Sequence, residues 1–216
     1  VNEHVLGPQK LRVIQVQSRV VRAGHFFLAG GAGLGLRLGH RLSDDLDWFT
    51  PREFDANKLT TRLAALHEKP TTTEQQGPHT VRAYYGTLET SFIRYAQVAA
   101  KPDLMTVGRV RIPVADIETL AAMKAAALHD RGAKRDFIDI HAICNLPGWS
   151  VARFIDQATK WLPLEPVQLK LALTYFVDAD QHPMPNGCTM SWAQVKVDLV
   201  RDVRAWERNL ARGPER

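Results

Sequence analysis

A chain of 216 residues is long enough for one substantial core or for two modest lobes. Its 45% hydrophobic and 24% charged content is that of a globular protein, and no apolar run approaches the roughly 18 residues of a membrane span, nor does the N-terminus carry a signal-peptide pattern. Lys and Arg number 28 against 23 Asp and Glu, a net +5 that is compatible with a polyanionic partner without requiring one.

In chain order, residues 9–22 place Leu11, Ile14, Val16, Val20 and Val21 among polar residues, predicting a first helix. His25–Ala29 predicts a short apolar strand that runs into Gly30-Gly31, and 32–41 predicts a short helix weakened by Gly33 and Gly35. Asp45–Phe49 alternates acidic and apolar residues and predicts a strand with carboxylates on one face. A helix over 55–68 starts at Asp55, a favourable N-cap. A polar loop from Pro70 to Pro78 precedes strands near 79–86, 88–97 and 107–114. From Asp116 the pattern is helical: 116–130, 134–145, 150–161, 165–178 and 191–211. In the last, Trp192, Val195, Leu199, Val203, Trp206 and Leu210 form a packing stripe. The two cysteines, Cys144 and Cys188, match no metal-ligand spacing and read as free thiols in a reducing cytoplasm. The fold expected is α/β (α+β), a mixed sheet flanked by helices over 1–115 followed by a helical bundle over 116–216.

Chemistry concentrates between Gly30 and Asp47. Glycines that open a helix let the backbone approach an anion, and the unpaired N–H groups of the first turn point at it. Asp45 and Asp47, at i and i+2 of a strand, project on one face about 7 Å apart, so both can grip metal ions bound to one triphosphate. An isolated Asp-x-Asp is usually a solvated edge and an isolated Gly-Gly a turn; their conjunction across one helix is the specific feature. Two other glycine motifs fail. Leu36 and Leu38 stand where a dinucleotide fingerprint needs its third glycine, and no Gly-Lys-Ser/Thr follows Gly35.

The stretch Phe27-Leu28-Ala29-Gly30-Gly31-Ala32-Gly33-Leu34, followed by Leu38-Gly39-His40-Arg41-Leu42-Ser43-Asp44-Asp45-Leu46-Asp47-Trp48-Phe49, resembles the first motif of the AbiEii/AbiGii nucleotidyltransferase toxins. These belong to the DNA polymerase β-like superfamily. Ala121-Ala122-Met123-Lys124-Ala125-Ala126-Ala127 and Arg131-Gly132-Ala133-Lys134-Arg135-Asp136-Phe137-Ile138-Asp139 resemble that family's lysine helix and the helix after it. Ala172–Asp180 with Pro183-Met184-Pro185 is similar to its C-terminal signature.

The resemblance implies transfer of a nucleoside monophosphate from an NTP to an acceptor hydroxyl, with Mg²⁺ (or Mn²⁺) held by Asp45 and Asp47. It implies nucleotide contacts at Gly30, Gly31, Ala32, Ser43 and Lys124. Lys124 is then the residue that neutralises phosphate charge, and Asp136 orients the lysine or assists the acceptor. Asp139 either shares that role or serves the packing of its helix. Arg131, Lys134 and Arg135 either hold a polyanionic acceptor or form a solvated basic patch. Ala32 departs from the family, which has a small hydroxyl residue there. A third carboxylate, where one is used, has Glu89 as its local candidate. Phosphorylation of Ser43 is expected to set a dianion against the metal carboxylates and switch the site off. The implied biology is a cytoplasmic toxin with an antitoxin and an RNA acceptor, a tRNA 3′ end. A small-molecule or protein hydroxyl, or a non-catalytic binding protein retaining the fold, are the alternative readings.

Overall fold

The computed structural model describes residues 1–97 and 100–212. They belong to two compact units, the first spanning Val1–Leu120 and the second running from Ala121 onward.

The first unit is built on a seven-stranded mixed sheet. Helix α1 (Gly7–Ala23) leads to strand β1 (Phe27–Leu28), helix α2 (Gly30–Leu38), β2 (Leu46–Thr50) and α3 (Ala56–Ala64). Strands β3 (Thr72–Gln75), β4 (Thr80–Tyr85), β5 (Leu88–Arg94), β6 (Asp103–Val107) and β7 (Val110–Val114) follow. Their order is β3-β4-β5-β2-β1-β7-β6. The β2–β5 and β1–β7 pairs are parallel and the others antiparallel. This is the expected mixed sheet with helices against it.

Period-two alternation fixes which side of β2 faces the core. Leu46, Trp48 and Thr50 are buried, while Asp47 and Phe49 are only partly so. Val13, Ile14, Val20 and Val21 of α1 and Leu59 and Leu63 of α3 share one apolar cluster with Leu46, Trp48, Val81 and Phe92. A buried polar chain runs through it without an unmet group: the Trp48 indole donates to Gln17 (2.8 Å), and the Gln17 amide donates to Thr90 Oγ1 (3.0 Å).

The second unit is helical. It contains most of α4 (Ile117–Arg131), then α5 (Lys134–Cys144), α6 (Val151–Trp161), α7 (Pro166–Thr174), the short α8 (Val177–Asp180) and α9 (Trp192–Arg212). Helix α9 packs against α5, α6 and α7. Its predicted stripe holds at Val195, Leu199 and Val203, all at most 2% exposed, but Leu210 is 63% exposed, so the core ends before the last turns. Phe137, Phe176 and Trp192 form an aromatic cluster with centroids 5.0–5.8 Å apart.

Several expected bounds shift for identifiable reasons. Strand β3 lies inside the expected 70–78 loop; Thr-Thr-Glu-Gln has no apolar alternation and is held as an edge strand by β4 alone. The expected strand over 107–114 is the end of one strand and all of another, turning at Gly108, which takes φ +58°. Helix 165–178 breaks after Thr174 into α7 and α8. Helix α2 begins at Gly30, two residues early, and closes on Gly39 in the left-handed region. Asp45 stands one residue ahead of β2. Both cysteines are free, and burial foremost, with Asp202 adding to it, pushes the Cys144 thiol up to about 12, which leaves it inert near neutrality.

Candidate active site

Three backbone connections bring the glycines to the acids. Strand β1 pairs with β2 through Leu28↔Trp48, and the next amide, Ala29 N–H, donates to Asp47 C=O at 3.0 Å. Helix α2 starts at the following residue, so its first turn opens beside Asp47. Gly30 takes φ +59°, and a Cβ there would lie 2.6 Å from Asp47 Oδ2. A Cβ on Gly31 would lie 2.8 Å from both Ser43 Oγ and an Arg41 guanidinium nitrogen. Ser43 in turn donates to Asp45 Oδ1 at 3.1 Å. Gly30, Gly31, Ser43, Asp45 and Asp47 are thus gathered around one helix N-terminus.

Ala32 is 1% exposed and its methyl sits in the apolar cluster, so only its backbone faces the helix opening. Ser43 is 2% exposed, which puts its hydroxyl out of reach of a modifying enzyme in this conformation. Arg41 was not singled out from sequence. An arginine at the expected end of a helix reads as solvated, yet it is 5% exposed and its guanidinium lies against Gly31.

The donor set around Asp45 and Asp47 suits a hard divalent ion. Magnesium is commonly held by one or two carboxylates, with water and substrate phosphates completing its shell. Among the described residues no group of three or more His, Cys, Asp or Glu could hold a metal, so an all-protein cage is not formed. The Glu89 carboxylate is bound by Arg82 at 3.2 Å and accepts from Ser91 at 3.4 Å. On β5 the residue level with Asp47 is Ser91.

Gly30→Ala tests the close approach. A left-handed alanine costs about 1–2 kcal/mol, and the methyl must also displace the Asp47 carboxylate. The expected outcome is a small fall in thermal midpoint and a much larger fall in nucleotide turnover; a variant with normal turnover would remove Gly30 from the site.

In the helical unit, Lys124 on α4 is 5% exposed, and Asp136 and Asp139 on α5 are wholly buried. The Lys124 ammonium lies 2.6 Å from Asp139 and 3.2 Å from Asp136. Arg131 grips Asp136 with two bonds, at 2.9 and 3.0 Å. Two cations face two anions, so the network is neutral as a whole. Burial, the largest influence on Asp136, favours its neutral form, but the Arg131 hydrogen bond and the Lys124 and Arg131 charges outweigh it and hold its carboxyl below the usual range.

A group depressed in the folded state gives its full contribution above its unfolded pKa, near 3.9, and loses it as pH falls through the folded value. Denaturant midpoints are therefore expected to hold from pH 7 to about pH 4 and to drop below it. The drop should be smaller in Asp136→Asn; an equal drop in both would place the sensitivity elsewhere.

Lys134 is not part of a solvated patch. It is buried, donates to the carbonyls of Asp180 and His182, and lies 5.3 Å from the Trp192 ring centroid. It fastens the segment after α8. Arg135 is exposed.

A model of the family described as nucleotidyl transferase AbiEii toxin, type IV TA system, matches residues 15–211. The uncharacterized protein aq_aa25 of Aquifex aeolicus (strain VF5) is 27% identical over 188 residues, 85% of this chain and 89% of its own length. Two solved structures share the fold. JHP933 from Helicobacter pylori superposes with a TM-score of 0.59 at 16% identity, over 94% of this chain and 92% of that one. MenT4, the nucleotidyltransferase toxin Rv2826c from Mycobacterium tuberculosis H37Rv, gives 0.57 at 17% identity, over 91% and 86%.

The fold is the nucleotidyltransferase fold. The chain belongs to the AbiEii nucleotidyl transferase toxin family. It is a nucleotidyltransferase toxin, and membership implies an NTP substrate and an antitoxin partner. No helix among the described residues is long and apolar enough to cross a membrane.

Proposed function

We propose that the chain transfers a nucleoside monophosphate from an NTP to a hydroxyl of an RNA acceptor, a tRNA 3′ end, in the cytoplasm: the hydroxyl oxygen attacks the α-phosphate, its proton is lost, and pyrophosphate leaves. In this reading 1–115 is the nucleotidyltransferase domain and 116–216 the helical domain that accompanies it. One contact carries it: the Asp47 carboxylate lies against Gly30, at the opening of α2, with Asp45 tied alongside through Ser43. The first-turn amides of α2 offer phosphate oxygens donors and the positive end of a helix dipole. Asp45 and Asp47 would hold Mg²⁺ or Mn²⁺, which when bound supplies charge neutralisation at the triphosphate. Gly30 and Gly31 admit the phosphates to the backbone, and Ser43 positions Asp45.

We assign Lys124 to charge developing on the phosphates, and Asp136 to orienting that lysine or accepting the proton of the attacking hydroxyl. Asp139, the nearer partner of the ammonium, shares the orienting role. The net charge of +5 favours a polyanionic acceptor over a neutral metabolite.

The test incubates the purified chain with each α-³²P NTP, divalent ion, and total RNA, total protein or a metabolite extract in separate reactions. Label is expected in RNA, as a 3′ extension that alkaline hydrolysis maps to the last nucleotide. Label in protein or a small molecule instead would replace the acceptor while keeping the enzyme class. No transfer above the level of Asp47→Asn would reduce the chain to a binding protein that keeps the fold.

A further inference from the structure

The last turns of α4 and α7 line an open pocket of about 520 Å³ in the helical unit, and of its lining residues Arg131 has a role assigned above. That volume is within the range of small-molecule sites, roughly 300–1,000 Å³. Its lining combines two kinds of surface. Buried Leu128 and the exposed Leu171 and Tyr175 (59% and 56% exposed) give it an apolar side with an open aromatic ring. Asp130, with His129 Nδ1 3.3 Å from its carboxylate, Asp178 and Arg131 give it a charged side.

The chemistry of the walls selects among ligands. Both helices end here, so each contributes terminal carbonyls and the negative end of its dipole. Two carboxylates add to this. A wall so rich in acceptors suits a ligand that offers O–H and N–H donors. A ribose supplies the hydroxyls, a base supplies exocyclic or ring N–H groups, and its flat face stacks on an open tyrosine. Arg131 is a cation on this wall toward which an attached phosphate would lie: its side chain is 48% exposed and its guanidinium holds Asp136. Gly132 takes φ +53° as α4 ends and adds no side chain to the lining.

We propose that this pocket is a nucleoside subsite, which takes a base against Tyr175 and a ribose against the carboxylates, with the phosphate toward Arg131. Two sources carry that chemistry, the terminal nucleotide of an RNA acceptor and the NTP itself. The proposal deepens the nucleotidyl-transfer reading and rests on it for the identity of the ligand. Arg131 in turn bonds Asp136, the carboxylate that also bonds Lys124.

The experiment measures binding rather than turnover. Wild type, Tyr175→Ala and Tyr175→Phe are titrated into a 5′-labelled single-stranded RNA octamer with an unmodified 3′ end, and separately into each NTP by equilibrium dialysis. Loss of one stacked base is expected to weaken binding by about ten-fold or more, with Phe retaining the wild-type value. Weakening for RNA alone identifies the acceptor end as the occupant; weakening for an NTP alone identifies its base. Unchanged affinity for both overturns the subsite. Should wild type transfer no nucleotide to any acceptor while Tyr175→Ala still loses binding, the subsite stands and the transfer reading falls.

Discussion

Asp47→Asn is expected to fold normally and to lose nucleotide transfer by at least about 10²–10³-fold, the scale on which removing one preorganised electrostatic group acts. The amide keeps the carboxylate's shape beside Gly30, where the clearance is 2.6 Å to a Cβ, so the change is one of charge and not of packing. It removes an anionic oxygen that a divalent ion prefers and leaves Asp45, positioned by Ser43, as the one carboxylate of the pair. Asp45→Asn should fall in the same direction. Removing divalent ions with EDTA should silence wild type to a similar degree and leave Asp47→Asn unchanged. Pyrophosphate release under single-turnover conditions reads the effect, and a thermal midpoint within a degree or two of wild type confirms the fold. A fully active Asp47→Asn would separate the acid pair from the chemistry.

Much of this site was legible because it is local in sequence. One strand, one helix and one strand connect Gly30 to Asp47, and the period-two pattern of Leu46, Trp48 and Thr50 against Asp47 and Phe49 fixes the face of β2 from residue types alone. What sequence could not supply is the β1–β2 pairing. The register Leu28↔Trp48 is a tertiary choice, and it alone decides that α2 opens beside Asp47 instead of beside Phe49. Arg41 was missed for a related reason: burial of a guanidinium depends on where the chain doubles back, and composition reads any arginine as solvated. The strand β3 was missed because an edge strand held by one neighbour needs no apolar face. In the helical unit Lys124 meets two negative partners, Asp136 and Asp139. The number of partners was not readable, since Asp139 reaches Lys124 only through the approach of α5 to α4. Lys134 shows the converse error: three basic residues close in sequence, Arg131, Lys134 and Arg135, have three different environments.

Lys124→Met is expected to lower the stability of the helical unit by about 3–5 kcal/mol, the scale for breaking a buried ion pair from one side. The substitution keeps most of the side chain's volume but removes the cation 2.6 Å from Asp139, a carboxylate with no exposure to water. Asp136 keeps the two bonds that Arg131 makes to it. A second change is informative. In Lys124→Met/Asp139→Asn the carboxylate that faced the lysine is neutral at nearly constant shape, so much of the lost stability should return. Turnover is the discriminating readout. If Lys124 acts on the phosphates, the double variant is stable and still inactive, because stability has been restored without restoring the positive charge. If the lysine serves only to neutralise α5, activity returns together with the denaturant midpoint. The first outcome makes the ion network a holder for a reacting cation, with Asp139 fixing the ammonium. The second makes it a structural pair and moves the phosphate-neutralising role to another residue.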